Sequence, residues 1–253
     1  MRVGSQDIDE FYASLSSEVQ RRGAPCAITG GLACVEFGVA EHTEDCDLIC
    51  QPEHAETLLQ VLQTLSFGVS RCQYRPTSPP LDARWLAGGY TAHLRWPSDT
   101  AEKPFLDVFG APPRVSTPWQ AETVGRFAGR HTVAEMKRTN RRKDWDQATA
   151  LGLAMLEAND SRGWLHIFDA TVLRAVGARL SPGEKEIRQR PVLQLLMTKS
   201  PLLERAVQTE VEFWAHLDAL RLQVYKASHD DYGRTLLRMK VTIQVLSLNW
   251  QAV

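Results

Sequence analysis

Asp45 and Asp47 stand in the short run Asp45-Cys46-Asp47-Leu48-Ile49-Cys50, downstream of Cys26-Ala27-Ile28-Thr29-Gly30-Gly31. Side chains alternate along a strand, so two carboxylates two residues apart point to one face. Charges in an apolar strand are costly unless they are paired or coordinated. Two like charges held this close are most comfortable around a cation, and hard oxygen donors favour magnesium, or manganese in its place. A glycine pair at the end of a strand lets a backbone turn approach a phosphate where a helix begins. Together these parts spell phosphoryl- or nucleotidyl-transfer chemistry.

The chain around this stretch reads as strands alternating with helices. Residues 6–22 place Ile8, Phe11, Tyr12, Leu15 and Val19 at helical spacing, with Gly23 and Pro25 as the stop. A strand over 26–29, a helix over 31–37 ended by Gly38, and a strand over 45–50 follow. Pro52 opens an amphipathic helix through Leu58, Leu59, Leu62 and Leu65. Further strands are expected at 69–74, 90–96 and 103–109, with a proline-rich loop at 76–80 and a hairpin about Gly129. From about residue 133 the pattern is helical: 134–158 with an interruption near Thr139-Asn140, then 164–178, 184–197, 200–227 and 231–249. The expected fold class is α+β. An α/β-type N-terminal core with a mixed sheet (residues 1–133) precedes an all-helical C-terminal region (residues 134–253).

Composition narrows the function classes. The formal net charge is −1, so there is no overall electrostatic case for nucleic acid, and any such case must be local. The five cysteines lie in the first third and form no Cys-x-x-Cys pair, which points to reduced, mostly buried thiols. No stretch has the length and apolarity of a membrane span, and the first residues lack an apolar signal core. A cytoplasmic protein is expected, with no membrane partner.

Two more features carry chemistry. Asp107 sits inside Phe105-Leu106-Asp107-Val108-Phe109, where a lone buried carboxylate would be destabilising. On a strand next to that of Asp45 it completes a carboxylate triad, as metal ligand or as base. Its rivals, Asp82 and Asp99, fall in loop-like sequence. The run from Lys137 to Lys143 holds five cations in seven residues. Helical spacing would put Lys137 and Arg141 on one face. Of the seven histidines, His42 is nearest the acidic strand and the others form no metal-ligand spacing. Trp85, Trp96, Trp119 and Trp145 offer either a base-stacking surface or core packing.

Gly30-Gly31, Gly38 and Thr43-x-Asp45-x-Asp47-Leu48 resemble the nucleotidyltransferase superfamily, the polymerase-beta-like fold, and within it the branch of AbiEii/MenT-like toxins and their relatives. The resemblance covers roughly residues 25 to 150. It implies a metal-dependent enzyme that moves a nucleoside monophosphate from a nucleoside triphosphate to an acceptor hydroxyl on RNA or tRNA, protein or a small molecule. The toxin branch adds an antitoxin partner. Asp45, Asp47 and Asp107 would be the catalytic metal ligands for Mg2+ or Mn2+. Thr29, Gly30, Gly31, Lys137, Arg141 and Lys143 would bind the nucleotide, with Asp144 bracing a basic partner. The chain departs from the family where Glu41-His42 replace a basic residue before the threonine. That departure supports the alternative, a non-catalytic nucleotide-binding or protein-interaction member. A helical adaptor on an α/β scaffold is a third reading.

Overall fold

The computed structural model describes residues 8–43, 45–97, 103–115 and 118–238. Helix α1, Ile8–Arg21, forms where the spacing predicts it and buries Phe11, Tyr12, Leu15 and Val19. Each such side chain contributes about 1.5–3 kcal/mol on burial. Phe11 meets Trp96 edge-on with centroids 4.8 Å apart, and the Tyr12 hydroxyl donates to the Phe105 carbonyl at 2.7 Å. The helix is thereby fixed against the sheet.

Strand β1 (Cys26–Thr29), helix α2 (Gly30–Glu36) and strand β2 (Asp45–Cys50) follow. Helix α3, Ala55–Thr64, is entered through a 3-10 turn at Pro52–His54. After β3 (Ser66–Phe67), the predicted strand over 69–74 is instead two two-residue pieces, β4 (Ser70–Arg71) and β5 (Gln73–Tyr74). Strands β3 and β4 pair as a hairpin outside the main sheet, and only β5 joins it. A short helix absent from the sequence reading, α4 (Ala83–Ala87), is capped by Asp82, whose carboxylate accepts from the Arg84 backbone N–H. Asp82 is thus a helix cap, and its rival Asp99 lies outside the described residues.

Strands β6 (Thr91–Arg95) and β7 (Phe105–Phe109) form as expected; Pro104, with no N–H to give a ladder, precedes β7. The hairpin expected about Gly129 turns instead at Gly125, between β8 (Thr123–Val124) and β9 (Phe127–Ala128). Gly125 has φ +59°, the left-handed conformation such a tight turn requires. Gly129 is the N-cap of helix α5, Arg130–Met136.

The sheet is mixed, in the order β5-β6-β7-β2-β1-β9-β8. Strand β2 lies in the middle, antiparallel to β1 and parallel to β7. On β2, Cys46, Leu48 and Cys50 are fully buried, while Asp45 and Asp47 share the other face with Ile49. All five cysteines are free and buried. Burial pushes the Cys26 and Cys50 thiols up, to about 11 and about 12, which keeps them protonated at neutral pH.

Beyond α5 the chain is helical. Helix α6, Arg142–Glu157, leads to a 3-10 turn at Ser161–Leu165 and helix α7, Ala170–Gly177. The single helix expected over 184–197 is two, α8 (Glu184–Gln189) and α9 (Val192–Met197), broken at Pro191. The break expected between 227 and 231 does not occur. Helix α10, Leu203–Arg238, runs unbroken for 36 residues, about 54 Å at 1.5 Å per residue. Ser228-His229-Asp230 are weak helix formers but include no proline or glycine, and packing carries the helix through them. The remainder of the expected 231–249 helix lies outside the described residues.

One apolar cluster joins α1 and the sheet to Val133, Ala134, Met136 and Leu151, so the first core extends into α5 and α6. A second gathers Trp164, Ile167, Leu173, Leu193, Leu196 and Val207. Helix α10 leaves this second cluster and crosses the acidic face of the sheet. Its Asp218, only 3 % exposed, accepts from the Arg114 and Arg221 guanidiniums and from the Asn140 backbone N–H. Trp85 packs against Tyr232, with centroids 4.8 Å apart.

Candidate functional site

Parallel pairing of β2 with β7 sets Asp47 directly opposite Asp107. Adjacent strands lie about 4.8 Å apart, so two carboxylates on the same face stand side by side. Asp47 pays for this. Burial, and then the Asp107 charge, push its carboxyl up to about 7, against a smaller opposing pull from Lys137. Asp45 lies exposed at the start of β2, on the same face, and adds to the repulsion.

The glycine turn is shaped around Asp47. Gly30 has φ +64°, and a Cβ built on it would lie 1.7 Å from the Asp47 Oδ2. The carboxylate therefore lies directly over the Gly30 backbone, which only glycine permits. A Cβ on Gly31 would meet the Thr43 hydroxyl at 2.5 Å, so this residue too is placed by close approach.

Asp107 has a different setting. Strand β6 places His93 opposite it in antiparallel register, and His93 Nδ1 is 2.7 Å from the Asp107 Oδ1. Arg75 approaches the same oxygen at 3.6 Å. The Tyr225 hydroxyl, from α10, reaches to 3.5 Å of His93 Nε2.

The basic run is organised by Asp144. Lys137 ends α5 and Arg141 caps α6, so they do not share one helix face as the spacing predicts. The Thr139-Asn140 link between the two helices brings them together instead. Lys137 Nζ lies 3.3 Å from Asp144 Oδ1 and Arg141 Nε 2.7 Å from Oδ2. Burial alone would raise the Asp144 carboxyl. The Thr139 hydroxyl and the charges of Lys137 and Arg141 hold it below the usual carboxylate range.

These groups line a cleft of about 280 Å³. Gly30, Asp47, His93 and Asp107 line it together with Lys137, Arg141, Arg114, Arg221 and Tyr225. Four expected site residues stand elsewhere, among them Gly31, which is not part of the cleft lining. Thr29 is buried with its hydroxyl donating to the Met136 sulfur at 3.2 Å. Lys143 is exposed on the first turn of α6, and Asp45 lies outside the cleft lining. Glu41 and His42 are exposed and leave the cations of the cleft to Lys137, Arg141, Arg114 and Arg221. Of the tryptophans proposed for stacking, Trp96, Trp119 and Trp145 are buried, and Trp85 packs on Tyr90.

The sequence did not single out His93, Arg75, Arg114 or Arg221. His93 carried one usable signal. It alternates in phase with Thr91 and Arg95 on a strand, so it had to face the same side of the sheet as whatever lay beside it. Arg75 is brought in by the pairing of β5 with β6, and Arg114 and Arg221 needed the long-range path of α10.

Among the described residues, no three His, Cys, Asp or Glu side chains converge in metal-ligating geometry. The donor set that fits a hard divalent cation is the pair Asp47 and Asp107. The Asp47 carboxyl is raised first by burial and then by the Asp107 charge, and a bound cation would favour its charged form against both. This fixes a pH dependence. In metal-free protein the unfolded chain releases the Asp47 proton near the ordinary 3.8 and the folded chain near 7. The folded state then binds more protons between these values, so the contribution of Asp47 to stability falls as pH rises from 4 to 7. Asp144, depressed, acts in the opposite sense and only as pH falls through the ordinary carboxylate range and below. Burial holds His131 and His166 below the usual histidine range, which acts in the opposite sense over the same window, so the test is the stability of wild type relative to Asp47→Asn. Without metal that difference is expected to move against wild type between pH 5 and 8, and saturating magnesium to remove most of the change; a difference that does not vary with pH would contradict the assignment.

No protein-family model matches the chain, and no curated protein matches it. Among solved structures it is similar to a crystal structure described as "putative nucleotidyltransferase from H. pylori", at 13% identity and a TM-score of 0.40, over 88% of this chain and 98% of that one. A likeness at that identity and score adds nothing to the geometry of the cleft. Among the described residues, no helix is long and apolar enough to cross a membrane.

Proposed function

We propose that the protein is a nucleotidyltransferase that uses magnesium, or manganese in its place, to move a nucleoside monophosphate from a nucleoside triphosphate to an acceptor hydroxyl. The observation that carries this reading is the in-register pair Asp47 and Asp107 lining one cleft with Lys137, Arg141, Arg114 and Arg221. Held between these carboxylates, a divalent cation would supply charge neutralisation on phosphate oxygens. Lys137 and Arg141, braced by Asp144, take the triphosphate charge, together with Arg114 and Arg221. The open backbone over Gly30 gives the phosphate chain close access. The acceptor oxygen bonds to the α-phosphorus, and the bond from that phosphorus to the bridging oxygen breaks. Pyrophosphate leaves with the electron pair. Asp107, oriented by His93 at 2.7 Å, accepts the hydroxyl proton.

The toxin role, an antitoxin partner and the choice among RNA, protein and small-molecule acceptors belong to the same reading and rest on the resemblance carried by the Gly30-Gly31 to Asp47 stretch; a cytoplasmic setting is supported by the five free, buried cysteines. Pyrophosphate release from each of the four ribonucleoside triphosphates, with and without magnesium, over a panel of RNA, protein and small-molecule acceptors, tests the proposal. Release that needs both an acceptor and the metal is expected. Tight nucleotide binding without release from any acceptor would favour the non-catalytic alternative.

A further inference from the structure

A second cavity lies in the helical region. It measures about 610 Å³ and is walled by α5, the Ser161–Leu165 turn, α8 and α10. Its charged lining is unbalanced, with Arg114, Arg138, Arg162, Lys185 and Arg190 against Glu135 and Glu210. Three of these cations are already committed, Arg114 through Asp218 and the Met136 carbonyl. Arg162 is paired with Asp160 and Glu122, and Arg190 with Glu210 and the carbonyls of Trp164 and Ile167.

Arg138 is not satisfied in this way. Its side chain is only 11 % exposed; its Nη2 donates a long hydrogen bond to His166 Nδ1 at 3.4 Å, and the Glu135 carboxylate stands 3.8 Å from its Nη1, beyond hydrogen-bonding distance. Its Nε is buried with no hydrogen-bond partner. The guanidinium lies over the rings of Trp214 and Phe168, at 5.0 and 5.8 Å. A buried cation with so little anionic compensation is costly, and an anionic ligand would repay the cost. Lys185 stands exposed on the first turn of α8, where it adds a second cation to the rim. Phe213, 56 % exposed, presents an aromatic face at the same cavity. Such a face is unfavourable in water and suited to stacking a base.

We propose that this cavity is a second ligand site that takes a nucleoside monophosphate unit, with the phosphoryl group between Arg138 and Lys185 and the base against Phe213. The site stands whatever chemistry the carboxylate cleft performs. Arg114 lines both cavities, so an occupant here lies against the wall of the transfer cleft.

Titration calorimetry on the full chain in chelator-containing buffer tests the site, with inorganic phosphate, the four nucleosides and the four ribonucleoside monophosphates as probes. At least one monophosphate is expected to bind at least about tenfold tighter than phosphate or its own nucleoside, because both recognition elements are then engaged. Arg138→Met and Lys185→Glu are each expected to weaken that binding at least about tenfold. Lys185 is exposed, so its replacement leaves the fold intact even if that of Arg138 does not. Asp47→Asn is expected to leave the binding unchanged. Three results would overturn the proposal: no monophosphate exceeding phosphate and nucleoside, wild-type affinity in Lys185→Glu, or loss of binding in Asp47→Asn, which would place the ligand in the carboxylate cleft.

Discussion

Asp47→Asn is expected to lower nucleotide transfer by about three orders of magnitude, the scale seen when one preorganised electrostatic group is removed from a reaction centre. The amide keeps the shape of the carboxylate but not its charge, so the cation site loses half of its pair. The same substitution is expected to make the metal-free protein more stable at pH 8. It removes a carboxyl that burial and Asp107 push up to about 7. Each tenfold change in proton affinity is worth about 1.4 kcal/mol, which places the gain on the order of a few kcal/mol. The gap is expected to narrow as pH falls from 7 and to close only toward pH 4, where Asp47 is protonated in both the folded and the unfolded wild type. Loss of activity with a gain in stability separates a functional acid from a structural one. A variant that loses both would identify Asp47 as a structural anchor.

Gly30→Ala is expected to be the most damaging single change in the turn. The left-handed conformation costs an L-residue roughly 1–2 kcal/mol. The added methyl would also occupy the position of the Asp47 carboxylate, 1.7 Å from its Oδ2. Relief requires Asp47 to leave its rotamer or the turn to shift, an overpacking cost of about 1–3 kcal/mol. The combined loss of about 3 kcal/mol corresponds to a drop on the order of 10 °C in the unfolding midpoint for a chain of this size. Gly23→Ala offers the comparison: its φ is +76° but nothing lies within 4 Å of the added Cβ. It is expected to show the conformational cost alone. Calorimetry on both variants measures the difference, and equal midpoints would remove the close contact between Gly30 and Asp47.

Local pattern made much of this architecture legible. Alternation over Asp45–Cys50 and Phe105–Phe109 gave both strands and placed each acid on the face opposite the buried residues. Helical spacing gave α1, and charge density marked Lys137 and Arg141. Pairing between distant strands is a different kind of fact. Nothing in the local sequence sets β7 beside β2 in the register that aligns Asp107 with Asp47, or sets His93 across from Asp107. Those follow from how the whole sheet closes. The path of α10 was equally hidden. Its amphipathic pattern continues through Ser228-His229-Asp230, and its Asp218 finds Arg114 more than a hundred residues earlier in the chain. The cations of the cleft and the Arg138 cavity both depend on that return. Thr29 illustrates the opposite error: a residue next to a glycine turn looks available to phosphate, but strand β1 directs its hydroxyl into the core toward Met136.

The central claim is that Asp47 and Asp107 form a metal-dependent nucleotide site. Its most direct test is the unfolding midpoint measured with each ribonucleoside triphosphate, with and without magnesium, for wild type and for Asp47→Asn/Asp107→Asn. A ligand that binds only the folded state at a hundredfold excess over its dissociation constant adds about 2.7 kcal/mol. The account predicts a rise in midpoint that requires magnesium and is absent from the double variant. A rise of equal size without the metal, or one retained by the double variant, would contradict it.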